Sequence, residues 1–529
     1  MDESTQHIAE SADLATTDSA AITKRKRFLK WSAQVIPRYF SGINDINLSV
    51  IHPETGDRSF DHYLAPIADS DYGSVYLFAD LTVPYQFEHQ NGFVYAHFDT
   101  GEIYRGTLSS IDENTGETTY NEAFLSNENT IGDEIHDHGF IRQLFLSHSF
   151  DQKGHTTLRL GRGNPIVGYS LIYNDYSPFA EVKLKSVNAW TVPLDLTLVG
   201  VSPSDKLLPS NNFIASGELA IPHTKLGRLS VFAAKLWDES NALSEGFRAA
   251  ITASINGRGN PMNSILTGRL GLFNRLTTFE SDSEVNWLGA GYSKTWGNSN
   301  HLWLNGAVST GNVSINMDMS RFLRNLRQST RNRRLDIEET IDLDLVLSGF
   351  AMQAGGTVYL SETWYASCFG LVMSGDDGLD SLSQAFSPRG QTNDYSDRFS
   401  AFLSIVPYLG HTNIFFNGGL DQGFSNREAA VGGLAGKGVM AAGVSVGGPI
   451  WGKFSYQGGP TLLSAMHTGP HGLGNIYGIE FDNGLSYALN ETTSIDAQID
   501  VFKTGDFFPQ RAWNTQTTIQ LSYSPSGQW

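Results

Sequence analysis

The last segment of the chain, Trp513–Trp529, alternates along its length. Thr517, Ile519, Leu521 and Tyr523 fall on one face, and Thr518, Gln520 and Ser522 fall on the other. A repeat of two residues is the pattern of a strand that separates two different environments. The two segments before it repeat the pattern. Tyr477, Ile479, Phe481, Leu485, Tyr487 and Leu489 share a face opposite Gly478, Glu480, Asp482 and Ser486. Ile495, Ala497, Ile499 and Val501 then alternate with Asp496, Gln498 and Asp500. Carboxylates on the second face cannot enter a dry core unless they are paired. A soluble sandwich is compatible with any one of these segments. Repetition along nearly the whole chain, with aromatics near strand ends and Gly/Asn/Asp turns between, predicts a transmembrane β-barrel instead, apolar outside and wet inside.

Size then ceases to demand several domains, because a closed barrel grows with strand number rather than with core depth. The chain has 529 residues, of which 17% are charged and 12% aromatic, with 54 glycines. No apolar run approaches the ~18 residues of a helical span. Stretches such as Phe369–Met373 are short and end in Ser-Gly-Asp. At roughly 26 residues per strand with its connection, the expectation is a single all-β, antiparallel barrel of about 18 strands, in a range of about 16–20. Residues 1–30, rich in Ser, Thr, Asp and Glu, read as a disordered or periplasmic N-terminal tail, and residues 31–529 as the barrel with long extracellular loops. Strand candidates begin at Gly73–Val83 and include Phe247–Ile255, Ile265–Phe279, Leu335–Phe350, Thr357–Glu362, Arg398–Tyr408 and Asn413–Gly418. The longest polar insertions are Ser109–Asp137, Asp318–Arg334 and Ser374–Asp397. No repeat of constant period supports a solenoid or propeller.

The formal net charge of −19 argues against a general nucleic-acid binder. On an outer-membrane barrel such acidity belongs on external loops, where divalent cations bridge it to lipopolysaccharide. Cys368, in YASCFG, is the single cysteine; it permits no internal disulfide, zinc pair or CxxCH haem site, and reads as a lipid- or core-facing thiol. Met1–Ala21 is polar, and Lys24–Trp31 (KRKRFLKW) is followed by no apolar core of a signal peptide. The expectation is a bacterial outer-membrane protein in mature form, its signal already removed.

Cations flanked by apolar residues carry the functional signal. Arg159 lies between Leu158 and Leu160; Lys183 lies between Val182 and Leu184, with Lys185 on the same face. Arg248 alternates with Phe247 and Ala249; Arg269 and Arg275 oppose Leu270 and Leu272; Lys453 precedes Phe454. Charge on the lipid face costs about 2–4 kcal/mol at midplane, so these side chains are expected to line the pore and attract anions. The alternative is that each is paired with a lumenal carboxylate such as Glu181, Asp195, Asp342, Asp496 or Asp500. Arg321, Arg324, Arg327, Arg331, Arg333 and Arg334, with Phe322, Leu323 and Leu326 between them, suggest a short amphipathic helix in a loop that constricts the pore. Asp376, Asp377 and Asp380 surround a glycine loosely as in a calcium loop, out of register with an EF-hand, so loop-bound Ca²⁺ is the most they suggest. Asp133–His138 (DEIHDH) reads as a solvated loop, and Gly432–Gly448 is no phosphate loop because Gly-Lys is followed by Gly. No GxSxG, HExxH or triad is present, so neither an enzyme nor a bound cofactor is expected.

FIRQLFLSHSF…TTLRLGRGNPIVG, the MSGDDG start at Met373 and the closing ALNETTSIDAQIDVFKTGDFF…TTIQLSYSP resemble the alginate-export type of outer-membrane porin. The resemblance covers the second quarter and last third of the chain. It implies an 18-strand barrel passing an anionic polysaccharide, and it adds Arg142 and Arg162 to Arg159 as pore-lining positions. The chain departs from that family in its acidity and its tail. A different class remains open: a barrel that sheathes a separately encoded multihaem cytochrome in an electron-transfer conduit. A sheath needs a wide lumen without an inward loop.

Overall fold

The structure is a computed structural model. It describes residues 29–43, 70–87, 90–99, 103–111, 118–123, 141–189, 192–203, 212–224, 226–238, 277–297, 299–330, 339–376, 398–405, 407, 409, 411–416, 433, 436–469, 474–508, 511 and 513–528. The strands are, in order, β1 (Lys30–Ile43), β2 (Ser70–Phe87), β3 (Gln90–Asp99), β4 (Ile103–Ile111), β5 (Thr118–Ala123), β6 (Ile141–Ser149), β7 (Thr156–Gly163), β8 (Ile166–Val167), β9 (Tyr173–Asn174), β10 (Ser177–Ala189), β11 (Val192–Val201) and β12 (Phe213–Thr224). They continue as β13 (Gly227–Asp238), β14 (Thr278–Trp296), β15 (Asn300–Asp318), helix α1 (Ser320–Thr330), β16 (Thr340–Tyr359), β17 (Tyr365–Met373), β18 (Arg398–Phe399), β19 (Val439–Trp451), β20 (Phe454–Ser464), β21 (Ile476–Asn490), β22 (Thr493–Thr504), β23 (Trp513–Tyr523) and β24 (Ser526–Gln528).

Eighteen of these strands form a closed antiparallel barrel. Closure is made by β23, which pairs with β22 on one side and with β1 on the other, Tyr39 opposite Ile519 and Val35 opposite Tyr523. The last strand thus satisfies the first, and neither is left with an open edge. Connections alternate in length around the ring. Turns such as Gly452–Lys453 and Glu491–Thr492 lie at one rim, and longer segments such as 374–438 lie at the other. Both chain ends of the barrel are at the short-turn rim, where the Ser524 N–H donates to Thr492 O at 2.8 Å.

The outer face is apolar through the middle of the ring. Val444 is 58% exposed, Leu462 56% and Ile499 52%, each flanked along its strand by residues that point inward. A continuous exposed apolar belt of this kind is covered by lipid rather than water. Aromatics mark its short-turn edge: Phe454 packs on Tyr487 with ring centroids 4.5 Å apart. Cys368 is exposed on this face, opposite Val444 and Gly356.

At the long-loop end the pattern inverts. On β15 and β16 the outward residues become Asn312, Ser314 and Asn316, and Asp342 and Asp344; the inward ones become Val313, Ile315 and Met317, and Leu343, Leu345 and Leu347, all buried. Outward Glu280, Asp282 and Glu284 on β14 match them, Glu284 meeting Lys235 at 3.0 Å. The strand β16 has 20 residues, whereas a span needs about 9–11, so its acidic stretch stands beyond the bilayer. There water takes the outer face, and the apolar face must be covered from within. Phe322 and Leu323 of α1, Phe399, Phe402 and Leu403 provide that cover. The lumen is therefore not wet throughout; its long-loop end contains a dry core.

Several sequence expectations are revised. The first strand is β1, in a stretch whose start was assigned to the tail. Leu335–Phe350 and Thr357–Glu362 are largely one strand, β16. Among the described residues of Arg398–Tyr408 only β18 is strand, and 413–416 is irregular chain inside the barrel. Phe247–Ile255 and the body of Ile265–Phe279 lie outside the described residues, as do residues 1–28.

Candidate permeation pathway

Two loop segments fold into the barrel. The first, between β7 and β10, carries the β8–β9 hairpin, with Leu171, Ile172 and Tyr173 buried. Gly168, Tyr169 and Ser170 take positive φ values of 62°, 57° and 66°. Left-handed backbone is unfavourable for Tyr and Ser, and persists where surrounding contacts over-determine it. Here the Tyr169 hydroxyl pairs with Ser230, its carbonyl accepts the Gln353 side chain at 3.0 Å, and its ring packs edge-on against Phe232. The described residues of the second segment, 399–405, 407, 409 and 411–416, lie along the inside of the wall from β14 to β22. Trp287 Nε1 donates to Leu403 O at 2.7 Å, and Gly349 admits the passing backbone. A Cβ at Gly349 would sit 2.5 Å from Phe402 Cα. The segments meet where Ile405 N–H donates to Ile172 O at 3.0 Å.

Farther along, His411 stacks on Phe369 at 4.5 Å. Asn413, Ile414 and Phe415 then reach inward carboxylates of β21 and β22. Glu480 accepts the Ile414 N–H at 2.5 Å and the Phe415 N–H at 3.0 Å. Asp500 accepts Asn413 Nδ2 at 2.9 Å.

The opposite wall, β1 through β13, carries charged side chains inward. Arg159 on β7 and Lys183 on β10 both meet Glu181, at 3.1 and 3.2 Å. Arg159 also lies over Phe145 and Phe179, 4.6 and 5.1 Å from the ring centres, where cation–π attraction restrains it. Arg142 occupies a bulge between β3 and β6, which brings it to Asp99 at 2.7 Å and over the Tyr176 ring at 4.8 Å. Arg228 meets Glu218 at 3.1 Å. Asp80 accepts from Ser32 at 2.9 Å and Tyr95 at 2.5 Å, and contacts His97 at 2.8 Å.

The anticipated cations are thus dispersed. Arg159, Lys183 and Arg142 stand on one wall with carboxylate partners; Arg162 is buried nearby on β7. Lys185 is exposed near the short-turn rim, its N–H donating to His155 O. Lys453 occupies the β19–β20 turn, where Nζ reaches Leu489 O at 2.6 Å, so it is a rim residue and not a wall residue. Arg248, Arg269 and Arg275 lie outside the described residues.

Helix α1 is where the arginine-rich sequence anticipates one. Asp318 accepts the Ser320 N–H at 2.8 Å at its start, and that bond, with the Ser320 hydroxyl and the nearby Arg321 and Arg324, holds the Asp318 carboxyl below its ordinary pKa. Phe322 and Leu323 turn into the dry core, leaving Arg321 and Arg324 exposed. The Arg327 side chain and Arg331, Arg333 and Arg334 lie outside the described residues. Asp376 is buried with its carboxylate held by the Ser400 N–H and hydroxyl, at 2.5 and 2.7 Å; Asp377 and Asp380 lie outside the described residues. Sequence reasoning missed Arg38, Asp80, Glu218 and Arg228. Each was visible as a polar residue alternating with apolar ones, but Arg38 sits in β1, a stretch that precedes the first strand candidate at Gly73–Val83.

No protein-family model matches the chain, and no curated protein matches it. Similar solved structures include Pseudomonas aeruginosa OccK7 (OpdD), with a TM-score of 0.48 and 10% identity over 94% of this chain and 99% of that one. OccK5 (OpdH) of the same organism gives 0.47 and 9%, covering 95% and 98%. Acinetobacter baumannii OccAB1 gives 0.44 and 8%, covering 97% and 99%. At these values the barrel rests on the chain's own strand pairing, Lys30 round to Tyr523.

Proposed function

We propose that the protein is a bacterial outer-membrane channel, not an enzyme, that passes anionic solutes along the β1–β13 wall. One observation carries the preference for anions. Glu181 is shared between Arg159 and Lys183, so one carboxylate faces two cations. By contrast, Glu480 and Asp500 on the far wall are buried, with their oxygens taken up by segment 411–416. The field in the remaining lumen is set by the nearer, uncovered charges, because distant loop charge is screened within ~8 Å in physiological salt. An anionic polysaccharide of the alginate class falls within this reading as one cargo. The two inward segments favour it over a cytochrome sheath, since they occupy the space that a haem protein would need. The outward carboxylates of Glu280, Asp282, Asp342 and Asp344 suit divalent-cation bridging to lipopolysaccharide just beyond the apolar belt.

Reversal potentials across a planar bilayer in a salt gradient test the reading. The unaltered protein should favour anions, and Arg159→Gln with Lys183→Gln should move it towards cations. One unit charge ~5 Å from an ion in water-like surroundings contributes about 0.8 kcal/mol, or roughly fourfold in occupancy per charge removed. Cation preference in the unaltered protein, or no shift in the double variant, overturns it.

A further inference from the structure

We infer that Glu480, Asp482 and Asp500 set the size limit of the channel by clasping residues 413–415 inside the barrel, an inference that rests on the channel reading above. The clasp joins groups that each need the other. Residues 413–416 are irregular chain, so their buried N–H groups have no strand partner and must find acceptors elsewhere. Glu480 is fully buried, and a carboxylate there must find donors. The Ile414 and Phe415 N–H groups donate to its two oxygens, at 2.5 and 3.0 Å. The Asn413 N–H reaches Asp482 Oδ1 at 3.3 Å, and its side chain donates to Asp500 Oδ1 at 2.9 Å. Asp500 also accepts the Asn483 N–H at 3.2 Å, which ties it to β21.

An aromatic seat lies beside the polar contacts. Phe415 packs on Tyr477 at 4.9 Å and on Phe502 at 6.0 Å, and Phe416 meets Phe415 edge-on at 5.0 Å. Tyr477 is inside because of an irregularity: Leu463 faces Gly478, yet Ser464 faces Ile476, so Tyr477 is skipped by the register. Its hydroxyl donates to Gly438 O at 2.7 Å, so the same ring is fixed to the far end of the long connection. Removing the clasp leaves the anchors at Trp287 with Leu403 and at Phe369 with His411 in place. Residues 412–416 then swing from a held end, and the lumen widens where they had lain.

Amide hydrogen exchange and single-channel recording on the full chain, in micelles and planar bilayers respectively, test this together. In Glu480→Ala the Ile414 and Phe415 amides should lose protection by about tenfold or more, because their acceptor is gone. Conductance should rise, and larger polyethylene glycols should enter the pore. Asn413→Ala, which alters the loop and leaves the wall intact, should give the same changes in smaller degree and serves if Glu480→Ala fails to fold. Asp496→Asn, on the same wall but bonded to Ser486 and Ser494, should change neither readout. A folded Glu480→Ala or Asn413→Ala barrel with unaltered exchange at 413–415 refutes the clasp. Released amides with unchanged conductance and polymer exclusion refute its control of aperture. Absence of any conductance in the unaltered protein refutes the channel reading itself, and the exchange result then stands apart from it.

Discussion

Ile499→Arg should cut the yield of correctly folded barrel in lipid vesicles sharply, while Asp344→Arg should leave it nearly unchanged. Ile499 points outward from β22 and is 52% exposed. It lies six residues above Thr493, the first residue after the short turn. At ~3.3 Å per residue and a tilt of ~45°, that is about 14 Å of height, near the middle of an apolar belt about 25 Å tall. An arginine there costs about 2–4 kcal/mol, enough to shift a folding equilibrium by roughly 30- to 1,000-fold. Asp344 also points outward, but on the acidic stretch of β16, where Ser314 donates to it at 2.6 Å. Arginine there meets water and the neighbouring Asp342. Heat-modifiable mobility of the refolded protein measures both. Equal yields would mean that the apolar girdle is not in lipid, or that the acidic stretch does not stand outside it.

That contrast also marks what the sequence could and could not disclose. The alternation at Ile495–Val501 and Ile519–Tyr523 identified outward faces, because strand period and lipid chemistry coincide there. The alternation of the last segment ends at Tyr523, as β23 does. At Leu343–Leu347 an equally regular alternation has its apolar side inward, since whether water or lipid lies outside depends on height, which is not a local property. The first strand was obscured because Ile36 and Arg38 face the lumen between Val35, Pro37 and Tyr39, mixing apolar and charged residues on one face. Bulges were equally silent. Tyr477 was placed on the lipid face with Ile479 and Phe481, yet the skipped register turns it inward. Alternation could assign Arg159 and Lys183 to the lumen, but their common partner follows only from the pairing of Glu181 with Arg159 across β7 and β10. The apolar run Ile414–Phe416 resembles a buried strand for the same reason: its acceptors are carboxylates some seventy residues away, and periodicity carries no information about them.

Trp287→Ala should lower the thermal stability of the long-loop end by about 3–5 kcal/mol, while Trp287→Phe should cost about a third of that. Trp287 is fully buried on the inward face of β14, with Val285 beside it on that face. Truncation removes a large ring from a dry core and also leaves the Leu403 carbonyl without its indole donor, which stood at 2.7 Å. Phenylalanine restores most of the volume and loses only the hydrogen bond, whose net worth is about 1 kcal/mol. The two variants therefore separate packing from polar anchoring. Neither should prevent membrane insertion, because the apolar belt and the β23–β1 closure lie on other surfaces of the barrel. Exchange at Leu403 and Ile405 should rise first, since their amides are held by Ser309 and Ile172 in this same region. Exchange at Ile414 and Phe415 should change less, being fixed separately by Glu480. Calorimetry alongside residue-resolved exchange checks both expectations. If Trp287→Ala is within 1 kcal/mol of the unaltered protein, the inward segment does not depend on the apolar face of β14, and the long-loop end is not a packed core but a set of independently held loops.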